Sequence, residues 1–217
     1  MNIDFNLPEI LFEQHFSTDF SEADVLTPGE QLLVKNFSEK RRKDFSTGRH
    51  CAHEVLKKMG AQTFEILTGP RKEPIWPEGF TGSISHSKEL AGAVAALSSK
   101  LLTIGLDIEK NGRVKAEMWD LLFQPQEQEY LRTITPAEQL FYTTLFFSMK
   151  ESFYKLQHPL TNSFLGFTDV EINEKGGRYR IRVTGELRDK KLLPEWTEMH
   201  YSRYGDHIIT LGMIATD

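Results

Sequence analysis

Ile104-Gly105-Leu106-Asp107-Ile108-Glu109 sets two carboxylates two residues apart in an apolar run. On a β-strand successive side chains alternate, so Asp107 and Glu109 share one face and Leu106 and Ile108 the other. Two carboxylates ~7 Å apart repel one another unless water or a cation stands between them. The pair reads either as the solvated end of a strand or as hard oxygen donors for a divalent cation such as Mg²⁺. About forty residues on comes Lys150-Glu151-Ser152-Phe153-Tyr154-Lys155, inside an aromatic-rich stretch whose pattern predicts a helix over 139–157. Glu151 and Lys155 lie one turn apart on such a helix, which alone is an ordinary surface ion pair. A functional reading gives Glu151 the role of third metal carboxylate or general base, and has Lys155 meet a phosphate.

Outward from this pair of segments the chain reads as mixed α/β. Leu90 to Leu97 and Leu101 to Ile108, separated by Ser98, Ser99 and Lys100, are expected to form a hairpin. Thr63 to Leu67 reads as a short strand, followed by a loop from Gly69 to Gly82 punctuated by Pro70, Pro74 and Pro77. One helix is expected from Thr27 into the Lys40 to Lys43 region, and another from Ser46 or Thr47 to Lys58, stopped by Gly60. Near the C-terminus Tyr179, Ile181 and Val183 alternate with Arg178, Arg180 and Arg182, the pattern of an antiparallel sheet with one wet face. Thr27-Pro28-Gly29-Glu30-Gln31-Leu32 recurs as Thr135-Pro136-Ala137-Glu138-Gln139-Leu140, and both are capping boxes with proline at the first helical position. The repeat hints at two similar halves, although Pro125 to Gln128 offers a third P-x-E-Q.

Composition narrows the classes. The chain has 217 residues, 39% hydrophobic and 26% charged, enough for one large domain or two small ones. No apolar run approaches the ~20 residues of a membrane span. The first twenty residues include Asp4, Glu9, Glu13 and Asp19 and no basic stretch, so no secretory signal is expected. A single cysteine, Cys51, excludes a disulfide framework or a multi-thiolate zinc site and fits a reducing, cytoplasmic compartment. A net charge of −5 argues against a general nucleic-acid binder.

Against that acidic background, Lys40-Arg41-Arg42-Lys43 and Arg49 place five positive charges in ten residues. Arg41 and Arg49 are eight apart and suit one pocket, where arginine forks favour phosphate monoesters; Lys40 and Lys43 read as solvated. Arg71 and Lys72 in the proline-punctuated loop are further phosphate candidates. Gly82-Ser83-Ile84-Ser85-His86-Ser87 is small and hydroxyl-rich, so backbone N–H groups can approach a phosphate and His86 can donate to it. His50, His53 and Glu54 lack the H-E-x-x-H order, and Cys51 has no evident catalytic partner. Walker A, G-x-G-x-x-G and G-x-S-x-G motifs are missing, which lowers the odds of P-loop, dinucleotide and α/β-hydrolase chemistry.

Taken together and in this order, the segments resemble the 4′-phosphopantetheinyl transferases of the type that activates enterobactin and surfactin synthetases. The resemblance rests on RRKDFSTGRHCA from Arg41, RKEPIWPEGFTGSISHS from Arg71, IGLDIE from Ile104 and FFSMKESFYK from Phe146, with the arginine and W-P-x-G-x-x-G-S-I-S-H stretches pointing to the enterobactin-type branch. It spans about Thr27 to Lys155, and departs from the usual pattern at Ser152, where alanine is common. It implies a holo-carrier-protein synthase that moves the phosphopantetheine arm of coenzyme A onto a serine of an acyl, peptidyl or aryl carrier protein, releasing 3′,5′-ADP. By the same resemblance Asp107, Glu109 and Glu151 hold Mg²⁺, and Glu151 and Lys155 are catalytic, with Glu151 taking the serine proton directly or through a metal-bound water. Arg41, Arg49, Arg71, Ser85, His86, Lys150 and Lys155 contact coenzyme A.

The implied fold is α/β (α+β): two similar halves, residues 1–102 and 103–217, related by a pseudo-twofold, with coenzyme A in the cleft between them. The first half would hold the 3′-phosphate and adenylate, the second the metal site and catalytic helix, in a monomeric protein of siderophore or secondary-metabolite biosynthesis. Val114, Met118, Trp119, Leu121, Leu122 and Phe123 form an apolar cluster read either as a carrier-docking surface or, for Leu122 and Phe123 above all, as core. A Mg²⁺-dependent phosphohydrolase and a non-catalytic coenzyme A- or carrier-binding module are the alternatives.

Overall fold

The computed structural model describes residues 1–7, 11–20, 25–187 and 190–216. The described residues divide into two compact α/β units, one within 1–104 together with Ala215 and Thr216 and one within 105–214.

The first unit begins with strand β1 (Glu13–Ser17) and helix α1 (Pro28–Leu33). Thr27 caps α1 in a capping box with Glu30, and Pro28 sits where its missing N–H costs nothing. The single helix expected from Thr27 to the Lys40 region is in fact broken. Ser38 caps a new helix, α2 (Glu39–Lys58), by accepting from the Arg41 N–H, so α2 also starts earlier than the expected Ser46 or Thr47. It ends at Met59, with Gly60 left-handed at φ +74° as its sequence position implies.

Two-residue strands β2 (Leu67–Thr68) and β3 (Pro74–Ile75) pair next. Of the strand expected over Thr63 to Leu67 only Leu67 is realised, in β2, because side chains take N–H groups before it, that of Glu65 going to Thr63 Oγ1. Ile66 N–H donates to Glu30, and the Glu65 carboxylate accepts from Thr27 Oγ1 and Gly29 N. Strands β4 (Phe80–Ser87) and β5 (Leu90–Leu97) complete an antiparallel sheet of order β1-β5-β4. Ala91, Ala93 and Ala95 on one face of β5 meet Cys51, Ala52, Val55 and Leu56 of α2, small side chains letting helix and sheet approach closely.

Strand β6 (Leu101–Lys110) does not form the expected hairpin with β5. It is the edge of a separate sheet, β6-β10-β9-β8-β7. The second unit continues with helices α3 (Trp119–Leu122), α4 (Pro125–Thr133) and α5 (Pro136–Thr161), then strands β7 (Val170–Lys175), β8 (Arg178–Val183), β9 (Thr197–Tyr204) and β10 (His207–Ala215). Tyr179, Ile181 and Val183 are buried and the intervening arginines are not, as the alternation predicts. Leu145, Met149, Phe153 and Leu156 of α5 pack with Ile181, Met199 and Ile208.

Both units run strand, short capped helix, long helix, two hairpins, the second adding α3 before its capped helix α4. The structural repeat pairs Glu30 with Glu127, from the P-x-E-Q at Pro125, rather than with Glu138 at Thr135. Glu30 is buried and accepts from Thr27 N, Ile66 N and His53 Nε2; Glu127 is buried and accepts from Gln124 N, Ile172 N and Lys150 Nζ. In each unit the basic partner lies 23 residues after the glutamate, on the long helix. Glu138 is exposed and caps only its own helix. Among the described residues no helix is long and apolar enough to cross a membrane.

Candidate active site

In the second unit β6 and α5 bring the two quoted segments together. Gly105 makes this contact possible: a Cβ there would stand 2.0 Å from the Ser152 carbonyl oxygen and 2.8 Å from Leu156 Cβ. Two residues on, buried Asp107 takes Lys155 Nζ at 2.7 Å on Oδ1 and Ser148 Oγ at 2.9 Å on Oδ2. Lys155 also donates to the Leu106 carbonyl at 3.1 Å. Thr210 of β10 lies 2.8 Å from Ser148 Oγ and 3.1 Å from Ser152 Oγ, so a buried hydroxyl ladder seats α5 on the sheet. This explains Ser152 in place of the commoner alanine: its hydroxyl is fully buried but partnered by Met149 O and Thr210.

Glu109 and Glu151 are half-buried around Asp107. Burial, and then the Asp107 charge, pushes the Glu109 carboxyl up to about 7. The same two causes, in the same order, raise Glu151. Arg113 and Lys155 oppose the shift of Glu109, and Lys155 that of Glu151, without cancelling them. Among the described residues no three His, Cys, Asp or Glu side chains already stand in the arrangement a bound metal imposes. The donor chemistry nevertheless fits a hard divalent cation: three carboxylates from two elements, mutually repelling and short of positive charge. Beside Glu151 a cleft of about 200 Å³ is lined mainly by apolar groups, among them Phe153, Tyr154, Phe164 and Phe167.

Lys150, expected to contact coenzyme A, also lines this cleft, but its ammonium is turned into the interior. Its ammonium is buried and donates to Glu127 at 2.6 Å and to the carbonyls of Leu122 and Phe167, each at 2.9 Å. Burial lowers its pKa and Glu127 opposes that. It holds α5 to α4 and leaves no ammonium for a ligand. Val114, Leu122 and Phe123 are core, Met118 and Trp119 pack half-buried against them, and Leu121 is 75% exposed. Of the apolar cluster offered for docking, Leu121 alone stands well out among these residues.

The first unit holds a pocket of about 580 Å³ that gathers Arg41, Arg49 and His86, together with Lys72 and Asp44. Arg71 does not line it; its N–H donates to Glu73, while Lys72, at φ +70°, does line it. Ser85 is buried on β4 beside the lining His86 and is not itself part of the lining. Each arginine lies over a phenylalanine four residues before it, Arg41 4.0 Å from the Phe37 centroid and Arg49 4.5 Å from that of Phe45. The F-x-x-x-R pattern, repeated eight residues on, was the signal in the sequence that could have found these platforms. Buried Arg49 has Nε 3.5 Å from Glu30 Oε1 and makes no hydrogen bond there. Burial brings the guanidinium down to about 10, with Glu30 opposing. Such a cation, orphaned at one nitrogen and facing a pocket, is poised for an anion.

Comparison with known proteins gives the family. The 4′-phosphopantetheinyl transferase N-terminal domain model matches residues 29–96, and that of the 4′-phosphopantetheinyl transferase superfamily matches residues 103–211. The chain belongs to this superfamily. It is 37% identical over 145 residues to the 4′-phosphopantetheinyl transferase Npt of Nocardia iowensis, covering 67% of this chain and 64% of that protein. It is 34% identical over 169 residues to the 4′-phosphopantetheinyl transferase PptT of Mycobacterium tuberculosis, covering 76% and 74%. Enterobactin synthase component D of Escherichia coli K12 is 31% identical over 163 residues, covering 74% and 75%. The carboxylate cluster and the arginine pocket fall inside the two matched regions.

Proposed function

We propose that this phosphopantetheinyl transferase moves the 4′-phosphopantetheine arm of coenzyme A onto a serine of an apo carrier protein. The observation that carries the reading is the convergence of Asp107, Glu109, Glu151 and Lys155 at the β6–α5 contact. The serine Oγ forms a bond to the β-phosphorus, the bridging phosphoanhydride bond breaks, and 3′,5′-ADP leaves. No covalent enzyme intermediate is required.

The cation for Asp107, Glu109 and Glu151 is Mg²⁺, which when bound supplies charge neutralisation at the diphosphate oxygens. Lys155, held against Asp107, sets a positive charge where the phosphoryl oxygens gain negative charge in the transition state. Glu151 takes the serine proton; burial raises its basicity above that of an ordinary carboxylate. In the first unit Arg41, Arg49, Lys72 and His86 hold the 3′-phosphate and adenylate, the stacking phenylalanines fixing both guanidinium planes before the ligand arrives. The apolar cleft beside Glu151 suits the uncharged arm, and exposed Leu121 suits the carrier's helix. The lone, buried cysteine supports a reducing cytoplasm, and two α/β units in one chain support a monomer.

Chromatography of a mixture of apo carrier, coenzyme A, Mg²⁺ and enzyme tests this reading. Release of 3′,5′-ADP in proportion to carrier consumed is expected. Coenzyme A cleaved at the same rate without any carrier would mean a phosphohydrolase, and tight coenzyme A binding without turnover would mean a binding module.

A further inference from the structure

Asp44 is out of keeping with the pocket it lines. Arg41, Arg49 and Lys72 surround the same space, yet the Asp44 carboxylate makes no hydrogen bond or ion pair with any described residue. It is half-buried on the face of α2 that also presents Arg41 and Gly48, at the spacings i−3 and i+4. Gly48 keeps the neighbouring turn bare: a Cβ there would stand 2.9 Å from Ile84 Cγ2. A carboxylate only accepts hydrogen bonds when ionised. It therefore answers a donor on the ligand, at a place removed from the ligand's own negative charge.

Arg41, Arg49 and Lys72 outnumber the carboxylates of Asp44 and of Glu30 behind Arg49, so the pocket is net positive and suits a phosphate monoester. Taking the pocket as the coenzyme A site, as proposed above, the ligand there is a 3′-phosphorylated adenosine. Its neutral donors are the ribose 2′-hydroxyl and the 6-amino group of the base. The 2′-hydroxyl adjoins the 3′-phosphate, so a carboxylate reaching it would stand within a few ångströms of that dianion. The 6-amino group lies at the far edge of the base, where the repulsion is weakest. We propose that Asp44 is the specificity-determining residue for the base, its carboxylate accepting from the adenine 6-amino group.

Calorimetric titration with adenosine 3′,5′-bisphosphate and inosine 3′,5′-bisphosphate tests this. Inosine carries an acceptor oxygen in place of the amino group, which would face the carboxylate lone pairs. Wild-type protein is expected to prefer adenosine about tenfold or more, the effect of one hydrogen bond to a charged group. Asp44→Ala should lose that preference by weakening adenosine alone. Asp44→Asn, nearly isosteric and able to donate, should narrow or invert it, and it serves if the alanine variant folds poorly. Arg49→Ala should weaken both ligands alike. Equal binding of the two ligands to wild type, or a preference unchanged in both Asp44 variants, overturns the proposal while leaving the pocket's assignment intact. Failure of wild type to bind either bisphosphate overturns the assignment, and the proposal with it.

Discussion

Replacing Gly105 by alanine adds one methyl group where β6 lies against α5. That carbon would stand 2.0 Å from the Ser152 carbonyl oxygen and 2.9 Å from the Leu156 nitrogen, both backbone atoms that no rotamer change can move aside. Restoring even a tight 3.0 Å contact requires strand and helix to separate locally by about 1 Å. Overpacking of this kind costs about 1–3 kcal/mol, which lowers Tm by roughly 2–12 °C in a chain of this size. The functional cost is larger. Asp107 is on the strand, and Ser148, Glu151 and Lys155 are on the helix, so the same displacement stretches the 2.7 Å and 2.9 Å bonds that hold Asp107. A misplacement of about 1 Å costs on the order of 100-fold in rate. Thermal unfolding and steady-state transfer of the arm to an apo carrier read the two effects separately. A variant with unchanged Tm and unchanged kcat would refute the claim that this glycine sets the geometry of the site.

Glu127→Ala should destabilise the protein by about 3–5 kcal/mol, read by chemical denaturation, because it strands the buried Lys150 ammonium. For Glu30, burial acts upward, but the bonds from His53, Thr27 N–H and Ile66 N–H prevail and hold its carboxyl below the ordinary value of 4.5. A carboxyl lowered on folding stabilises the protein above its unfolded pKa and loses that contribution as pH falls through the folded one. Tm should therefore drop below about pH 4.5, with a shallower acid slope in Glu30→Gln at the outset of the fall. Addition of EDTA should abolish transfer; if transfer persisted at full rate, the carboxylate cluster would have another purpose. Lys155→Ala should reduce kcat by about 100-fold or more, as expected for loss of a preorganised charge, with far-UV circular dichroism unchanged.

The parts of the site that depend on short-range periodicity were legible in the sequence. Asp107 and Glu109 share a face because strand alternation requires it, and Glu151 and Lys155 share one because of the helical turn. What sequence spacing did not show was direction. Lys150 adjoins Glu151, but a helix turns about 100° per residue, and that rotation aims Lys150 at Glu127 in the interior. The same limit applied to the repeat. Three P-x-E-Q boxes look alike locally, and only burial separates the structural glutamates Glu30 and Glu127 from the exposed Glu138. The missed break at Ser38 and the missing strand before Leu67 share a cause: side-chain oxygens took backbone N–H groups that a periodic pattern assigns to helix or sheet. Asp44, a lone carboxylate in a basic segment, reads from the sequence as surface.

The most direct test of the central claim is the intact mass of an apo carrier protein after incubation with coenzyme A, Mg²⁺ and this enzyme. The account predicts a gain of one phosphopantetheine on the carrier, lost on addition of EDTA and in Glu151→Gln. An unmodified carrier across siderophore, polyketide and fatty-acid types, with coenzyme A bound and intact, would contradict it.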